Sequence, residues 1–238
     1  TRVVPNGNQS LPRNESKSGS RWELLRSTVI ELITNKPFII FIFAFLCGGL
    51  SAGMWTGLIY IYVDAYLGMG ELFAQMFLIA FTIGILVVPV WYKLALKCGK
   101  KNTWILAVML LIFSFIFTGL LDPGETSFTD LLVLKIIQTI GFVGSGIVVP
   151  SMLSEIIDYS HWKYRAEKSA TYFSVKVFCE KVGIALGVAL GLLIASWCGF
   201  DVAANEHTNV SVVGLKIAIS VIPTLIAVIA MIFVVLSP

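Results

Sequence analysis

The sequence predicts an all-α membrane protein with six transmembrane helices, and three observations predict it. Hydrophobic residues fill 57% of the 238 positions and charged residues only 13%, where an ordinary soluble domain carries about 25% charge. Six apolar runs are long enough to cross a bilayer, which takes about 20 helical residues each. The connections between those runs alternate strictly between basic and acidic. The mean hydropathy of +0.89 makes lipid the main solvent, and excludes an ordinary globular enzyme, a nucleic-acid binder and a disordered chain. The net charge is small, +3, so the placement of the basic residues matters more than their number.

The runs cover about 38–63, 72–92, 103–121, 131–157, 171–197 and 212–236. They are rich in Leu, Ile, Ala and Gly and lack strand alternation, which favours helices over a barrel. The first tail holds Arg2, Arg13, Lys17, Arg21, Arg26 and Lys36; the second connection holds Lys93, Lys97, Lys100 and Lys101; the fourth holds Lys163, Arg165 and Lys168. The other three connections hold Asp64 and Glu71, then Asp122, Glu125 and Asp130, then Asp201 and Glu206, with no Lys or Arg. By the positive-inside rule both termini are expected in the cytoplasm, in a cell (inner or plasma) membrane. Lys135 and Lys216 lie just inside outer helix ends, where their stems are expected to snorkel to the headgroups.

Residues 1–20 are rich in Asn, Ser, Pro and Gly and read as a flexible cytoplasmic linker. They lack the apolar core of a signal peptide, and the missing initiator Met suggests that something precedes them. Ser20-Arg-Trp-Glu23 reads as a capping box opening a helix over 21–36. Trp22, Leu25, Val29, Leu32 and Ile33 share one face, which suits a helix lying on the inner membrane surface; a plain cytosolic linker helix is the other reading. Asn35-Lys36-Pro37 breaks it before the six-helix bundle of 37–238.

Lys181 is the most informative residue. It sits ten residues into the fifth span, where a lysine costs roughly 2.5–3.5 kcal/mol on insertion scales, so a polar cavity and a carboxylate partner are expected, as a ligand- or cation-linked lysine or else as a structural ion pair within the bundle. Lys176 and Glu180 can close an i, i+4 pair on another face. Gly183, Gly187 and Gly191 in the same helix, and Gly49, Gly53 and Gly57 in the first, form small-residue rows that let helix backbones approach. Gly141, Gly144 and Gly146 precede Pro150; Pro89, Pro150 and Pro223 are expected kinks. Trp55, Tyr60, Gln75, Gln138, Thr139, Ser145 and Tyr172 are candidate cavity-lining groups, Trp and Tyr suiting sugar rings, although each also fits packing. Trp91, Trp104, Trp162 and Trp197 fall at span ends as belt residues.

At the inner ends, Glu155, Asp158, His161, Lys163, Arg165, Glu167 and Lys168 face Lys100 and Lys101 and form a candidate breakable ionic gate, or else a merely solvated basic loop. Cys47, Cys98, Cys179 and Cys198 are scattered and read as reduced thiols. No Walker loop, HExxH or dinucleotide turn occurs. His161 and His207 lie on opposite sides of the membrane, which excludes a shared metal site. Asn8, Asn14 and Asn209 begin Asn-x-Ser/Thr triplets, too common to decide anything.

Glu155-Ile-Ile-Asp158-Tyr159-Ser-His-Trp-Lys163, then Ser169-Ala-Thr-Tyr172 and Lys181-Val-Gly183, resembles the segment joining helices ten and eleven of the glycoside–pentoside–hexuronide:cation symporters, the melibiose-carrier-like branch of the major facilitator superfamily. Pro89-Val-Trp-Tyr-Lys93 through Gly99-Lys100-Lys101 is similar to the basic loop between helices eight and nine, and Ile222-Pro223-Thr224 to helix twelve. The resemblance runs from about Trp22 to the C-terminus.

It implies that the six spans are helices seven to twelve, one half of a major facilitator superfamily transporter built as two three-helix repeats, although no sequence repeat is visible. It also implies a secondary active symporter that moves a sugar or glycoside with a sodium ion or a proton by alternating access. No cofactor is implied beyond that co-transported Na+ or H+. The implied partners are a small-molecule solute, membrane lipid and an N-terminal six-helix half carrying the cation-site carboxylates. Lys181 would interact with those carboxylates; Glu155, Asp158, Lys100 and Lys101 would belong to the inner gate. Gly146 stands where the family has a sugar-stacking aromatic, and Glu180 replaces an apolar residue. The residues therefore also allow a carrier of the same fold for a lysolipid or other amphiphile, or a non-transporting scaffold or sensor.

Overall fold

The computed structural model describes residues 21–164, 168–201 and 208–236. The linker of 1–20, Arg165, Glu167, Glu206 and His207 lie outside the described residues. Helix α1 (Arg21–Thr34) leads into α2 (Lys36–Ile61), α3 (Phe73–Cys98), α4 (Lys100–Thr118), α5 (Phe128–Tyr164), α6 (Ser169–Trp197), α7 (Asn209–Lys216) and α8 (Ile222–Leu236). Two π-helical turns, Tyr62–Tyr66 and Ile217–Val221, prolong α2 and join α7 to α8. Among the described residues six helices are thus long and apolar enough to cross a membrane: Lys36–Tyr66, Gly70–Cys98, Lys100–Thr118, Phe128–Tyr164, Ser169–Trp197 and Asn209–Leu236. Each matches one predicted run and starts two or three residues before it; Lys100–Thr118 stops three residues short of the expected end at 121, whereas Gly70–Cys98 and Phe128–Tyr164 run six and seven residues further. The four cysteines are free thiols.

The breaks follow local chemistry. Asn35 leaves helical geometry (φ −78°, ψ 88°) and its side-chain oxygen accepts from the Phe38 amide at 3.4 Å, capping α2 with Pro37 in the first turn. Between α3 and α4 a single residue turns the chain: Gly99, at φ 83°, a left-handed position that suits glycine. Pro223 follows the second π turn and cannot donate a backbone hydrogen bond. Its own carbonyl accepts from the Ser51 hydroxyl of α2 at 2.7 Å.

The packing has an internal two-fold relation. α2 lies along α6 and α8; α5 lies along α3 and α4; α4 meets α8. Exchanging the first and fourth, second and fifth, and third and sixth spans maps this pattern onto itself. Three crossings separate the paired spans, so they run in opposite senses, as in inverted repeats. The six spans are therefore two three-helix repeats that share packing without a visible sequence repeat.

In lipid, helix association rests on close contact rather than on water exclusion. A Cβ added to Gly53 would meet the Ile184 carbonyl, and one on Gly187 the Leu50 carbonyl. These rows bring α2 against α6. Two apolar cores result. One, toward the acidic end, contains Trp55, Tyr62, Met76, Phe115 and Leu215; the other, toward the basic end, contains Phe38, Phe41, Trp104, Leu153 and Tyr172. The second and fifth spans, α3 and α6, are the least covered: 17% of the most apolar stretch of each is buried, against 33–44% in the other four.

Three expectations need correction. Trp91 and Trp104 are core residues rather than belt residues: both are buried, and the Trp91 indole donates to the Ile140 carbonyl at 3.0 Å. Trp162 and Trp197 are exposed, as a belt requires. Lys135 does not snorkel; it points into the bundle and is 8% exposed. Lys216 bonds Asp122 of the α4–α5 connection at 2.6 Å instead of reaching for headgroups.

Candidate functional site: polar clusters in the six-helix bundle

Polar groups gather in four places. The first is a buried knot at the basic end. Glu31 of α1 is 6% exposed and accepts from the Lys168 ammonium at 2.6 Å and the Ser160 hydroxyl at 3.0 Å. Ser160 and Tyr172 share a hydrogen bond of 2.7 Å, and the Asn35 amide donates to the Tyr172 hydroxyl at 3.1 Å. The knot fastens α1, the start of α2, the end of α5 and the start of α6 together. Tyr172 is therefore an anchor here and does not line the bundle's cavity. Nothing in the sequence singles out Glu31, because its partners lie 129 and 137 positions away. At the same end Lys100 bonds Glu155 at 2.6 Å, which brings together two of the residues expected in a gate. Asp158 is exposed beside them, and Lys101 is half-buried and engaged. Arg165 lies outside the described residues.

The second place is a cavity of about 270 Å³ among α2, α4, α5, α6 and α8. Its wall is mostly apolar, with Phe45, Trp104, Phe115 and Phe142 among the lining residues and Ser51, Ser145, Lys176 and Glu180 supplying its polar part. The Lys176–Glu180 pair, at 2.7 Å, stands at one side, with the Lys176 ammonium 4.5 Å from the centre of the Phe45 ring. This is the i, i+4 pair expected from the spacing. Gly48 and Gly146 would meet nothing if given a Cβ, so both leave space in this wall. The Ser145 hydroxyl is buried here without a hydrogen-bond partner.

The third place is the uncovered flank of α6. Lys181 is the thirteenth of the 29 residues of α6 and is exposed in a shallow open groove with Phe173, Ser174, Val177 and Phe178. Among the described residues it forms no ion pair.

The fourth lies toward the acidic end. Lys135 donates to the Gln138 carbonyl oxygen at 2.9 Å and stands over the rings of Phe77 (3.8 Å) and Trp55 (4.8 Å). Trp55 and Gln138 are fully buried, and neither is among the residues lining the cavity. Tyr60 is 52% exposed and sets its ring edge-on against Phe73. Beyond these, in the α4–α5 connection, Asp122 accepts from Lys216 and from the Tyr66 hydroxyl, each at 2.6 Å. Those bonds hold its carboxyl below the usual carboxylate range.

One pattern the sequence carries is chemically silent here. Gly49-Leu50-Ser51-Ala52-Gly53 spells the GxSxG of hydrolase elbows, which need a strand-to-helix turn. Ser51 is buried in mid-helix and donates to Pro223, so it ties α2 to α8.

Comparison with known proteins places this geometry. The family model described as MFS/sugar transport protein matches residues 6–238. The chain is 26% identical over 215 residues to the uncharacterized symporter YjmB of Bacillus subtilis, covering 87% of this chain and 44% of that protein. It is 26% identical over 186 residues to the isoprimeverose transporter of Lactiplantibacillus pentosus, covering 74% and 36%. It is 23% identical over 196 residues to the sodium-dependent lysophosphatidylcholine symporter 1-A of Danio rerio, covering 79% and 35%. The chain thus spans less than half the length of each of these relatives.

Proposed function

Because the chain belongs to the MFS/sugar transport protein family, whose six-helix half its fold matches, we propose that it acts as the C-terminal half of a cation-coupled symporter. It is an integral membrane protein of a transporter family. Its solute is a sugar or glycoside, moved with sodium or a proton by alternating access against an N-terminal six-helix half. The basic end faces the cytoplasm by the positive-inside rule.

One observation carries this reading. Lys181 stands at the middle of a membrane-spanning helix, on a flank its own bundle leaves uncovered, without a carboxylate partner among the described residues. An ammonium facing hydrocarbon at that depth is costly, so its counter-charge is expected outside this half. The uncovered flanks of α3 and α6 are the faces on which a second bundle docks. Carboxylates on that bundle would pair with Lys181 when the cation site is empty and release it when the cation arrives, which links cation and solute occupancy. Tyr60 is exposed near the acidic end and is a further candidate for contact across that interface. Glu155, Asp158, Lys100 and Lys101 form the cytoplasmic gate together with Arg165, and small shifts in these pairs bias an equilibrium of a few kcal/mol.

Lys181→Ala in the complete protein is expected to abolish cation-driven uptake while membrane insertion stays normal. Sodium- or proton-driven transport at the native rate by that variant would remove Lys181 from the mechanism.

A second reading, carriage of an amphiphile, is favoured by the cavity. Its apolar wall and the open space at Gly48 and Gly146 suit a hydrocarbon tail, and a lysophosphatidylcholine symporter is among the relatives. Uptake competed by sugars and not by lysolipids would exclude it.

A further inference from the structure

The cluster around Lys135 is built almost wholly of donors. The ammonium is 8% exposed and has one hydrogen-bond acceptor, the Gln138 carbonyl oxygen. Its other neighbours are the faces of Phe77 and Trp55. No carboxylate among the described residues pairs with it. Gln138 is 0% exposed and Trp55 2% exposed, and the amide nitrogen of the one and the indole nitrogen of the other are both buried without an acceptor among the described residues. Three helices supply these groups: α2 gives Trp55, α3 gives Phe77 and α5 gives Lys135 and Gln138.

Buried donors without acceptors are rare and each costs free energy. A buried charge without a counter-charge costs more. Ring faces attract a cation but accept hydrogen bonds only weakly. A water molecule would satisfy the N–H groups and leave the charge unbalanced. A monovalent anion would satisfy both.

We propose that Lys135, Gln138 and Trp55 form an anion site toward the acidic end of the bundle, taking a halide or a carboxylate. Lys135 supplies the charge, while the Gln138 amide and the Trp55 indole donate hydrogen bonds. The aromatic rings exclude water and strengthen these contacts. The site lies seven residues into α5, about 10 Å along the helix from its start, so an anion reaches it from the acidic end. The occupant is either a free inorganic ion or the carboxylate of a carried solute. The inference does not depend on cation coupling, because it is tested by binding rather than by transport.

The test uses the complete protein, purified in lipid nanodiscs in sodium HEPES, whose bulky sulfonate is neither a halide nor a carboxylate. Chloride, acetate or a hexuronate replaces HEPES at constant ionic strength, while thermal unfolding and intrinsic tryptophan fluorescence are recorded. A saturable rise in Tm of about 2–4 °C is expected with at least one of them. Chloride acting alone identifies a free inorganic ion, and the hexuronate acting without acetate or chloride identifies a solute carboxylate. Lys135→Met is expected to abolish the response. Gln138→Glu places a carboxylate beside the ammonium; it is expected to raise the Tm in HEPES toward the anion-bound value and to weaken the titration at least about tenfold, a loss of about 1.4 kcal/mol in binding. The second variant decides the matter should the first fail to fold. A native protein indifferent to all three anions, or a Gln138→Glu protein that titrates like the native one, would overturn the proposal.

Discussion

Removing one partner of the Glu31–Lys168 pair should destabilise the protein very unequally, depending on which partner goes. The side chain of Glu31 is 7% exposed and that of Lys168 is 24% exposed. Lys168→Met leaves the Glu31 carboxylate buried with one remaining donor among the described residues, Ser160. An uncompensated buried charge costs about 3–5 kcal/mol, and the partial exposure of Lys168 in the native pair trims this to about 3. Glu31→Gln leaves an amide oxygen that still accepts from Ser160, and frees an ammonium that already reaches solvent. That change should cost about 1 kcal/mol, the net value of a hydrogen bond. The double variant removes both charges and should also cost about 1 kcal/mol, so the second substitution rescues the first. At about 2–4 °C per kcal/mol, the Tm should fall by about 6–12 °C for Lys168→Met and about 2–4 °C for the other two. Thermal unfolding of the complete protein in one fixed detergent reads this directly. Proteolysis within α1 should accelerate in the same order, because the pair fastens that helix to α5 and α6. Equal losses in the two single variants, adding in the double, would refute the claim that Glu31 is the desolvated partner.

Two further perturbations follow from the packing and the acidic end. Gly53→Ala and Gly187→Ala each drive a methyl group into a backbone carbonyl of the facing helix, and should each cost about 1–3 kcal/mol. Gly48→Ala, which meets nothing, should stay within about 0.5 kcal/mol of native in the same melts. Asp122 is held below its usual range by hydrogen bonds from Lys216 and Tyr66. A depressed folded-state value means stability that is present above the unfolded value, about 3.9, and is lost as pH falls through the folded one. The carboxylate is 48% exposed, so screening keeps the effect at about 1 kcal/mol or less. The stability gap between native protein and Asp122→Asn should therefore close as pH drops from about 5 to about 2. A gap that persists at the low end would show that the ion pair is not its source.

The legible parts of this structure are those in which neighbours in space are also neighbours in sequence. Run length set the six spans, and Asn35-Lys36-Pro37 set the break before α2. The four-residue spacing of Lys176 and Glu180 gave their ion pair, and the glycine rows marked the α2–α6 contact surfaces. The internal two-fold relation left no trace in sequence, because helices in lipid associate through small and apolar residues that many sequences supply.

The polar groups were harder to place for a related reason. A soluble amphipathic helix declares its buried side through a polar stripe, whereas these spans are apolar nearly all round. A lone lysine in such a span does not say whether it points inward or outward. Lys135, near a helix end, read as a snorkelling residue, yet its ammonium turns inward to Gln138 and the rings of Phe77 and Trp55. Lys181, at mid-helix, read as facing a cavity, and it stands on the uncovered flank of α6. Tyr172 has the same ambiguity, since a tyrosine suits a sugar ring or a buried hydrogen-bond junction equally well, and Ser160 and Asn35 settle the matter only once folding brings them beside it. Lys181 is exposed and Lys135 is buried, and neither has a carboxylate partner among the described residues. On the readings proposed above, the counter-charge of Lys181 comes from a second bundle docked on the flank of α6 and that of Lys135 from an anion held beside Gln138 and Trp55, so the two lysines call for different occupants.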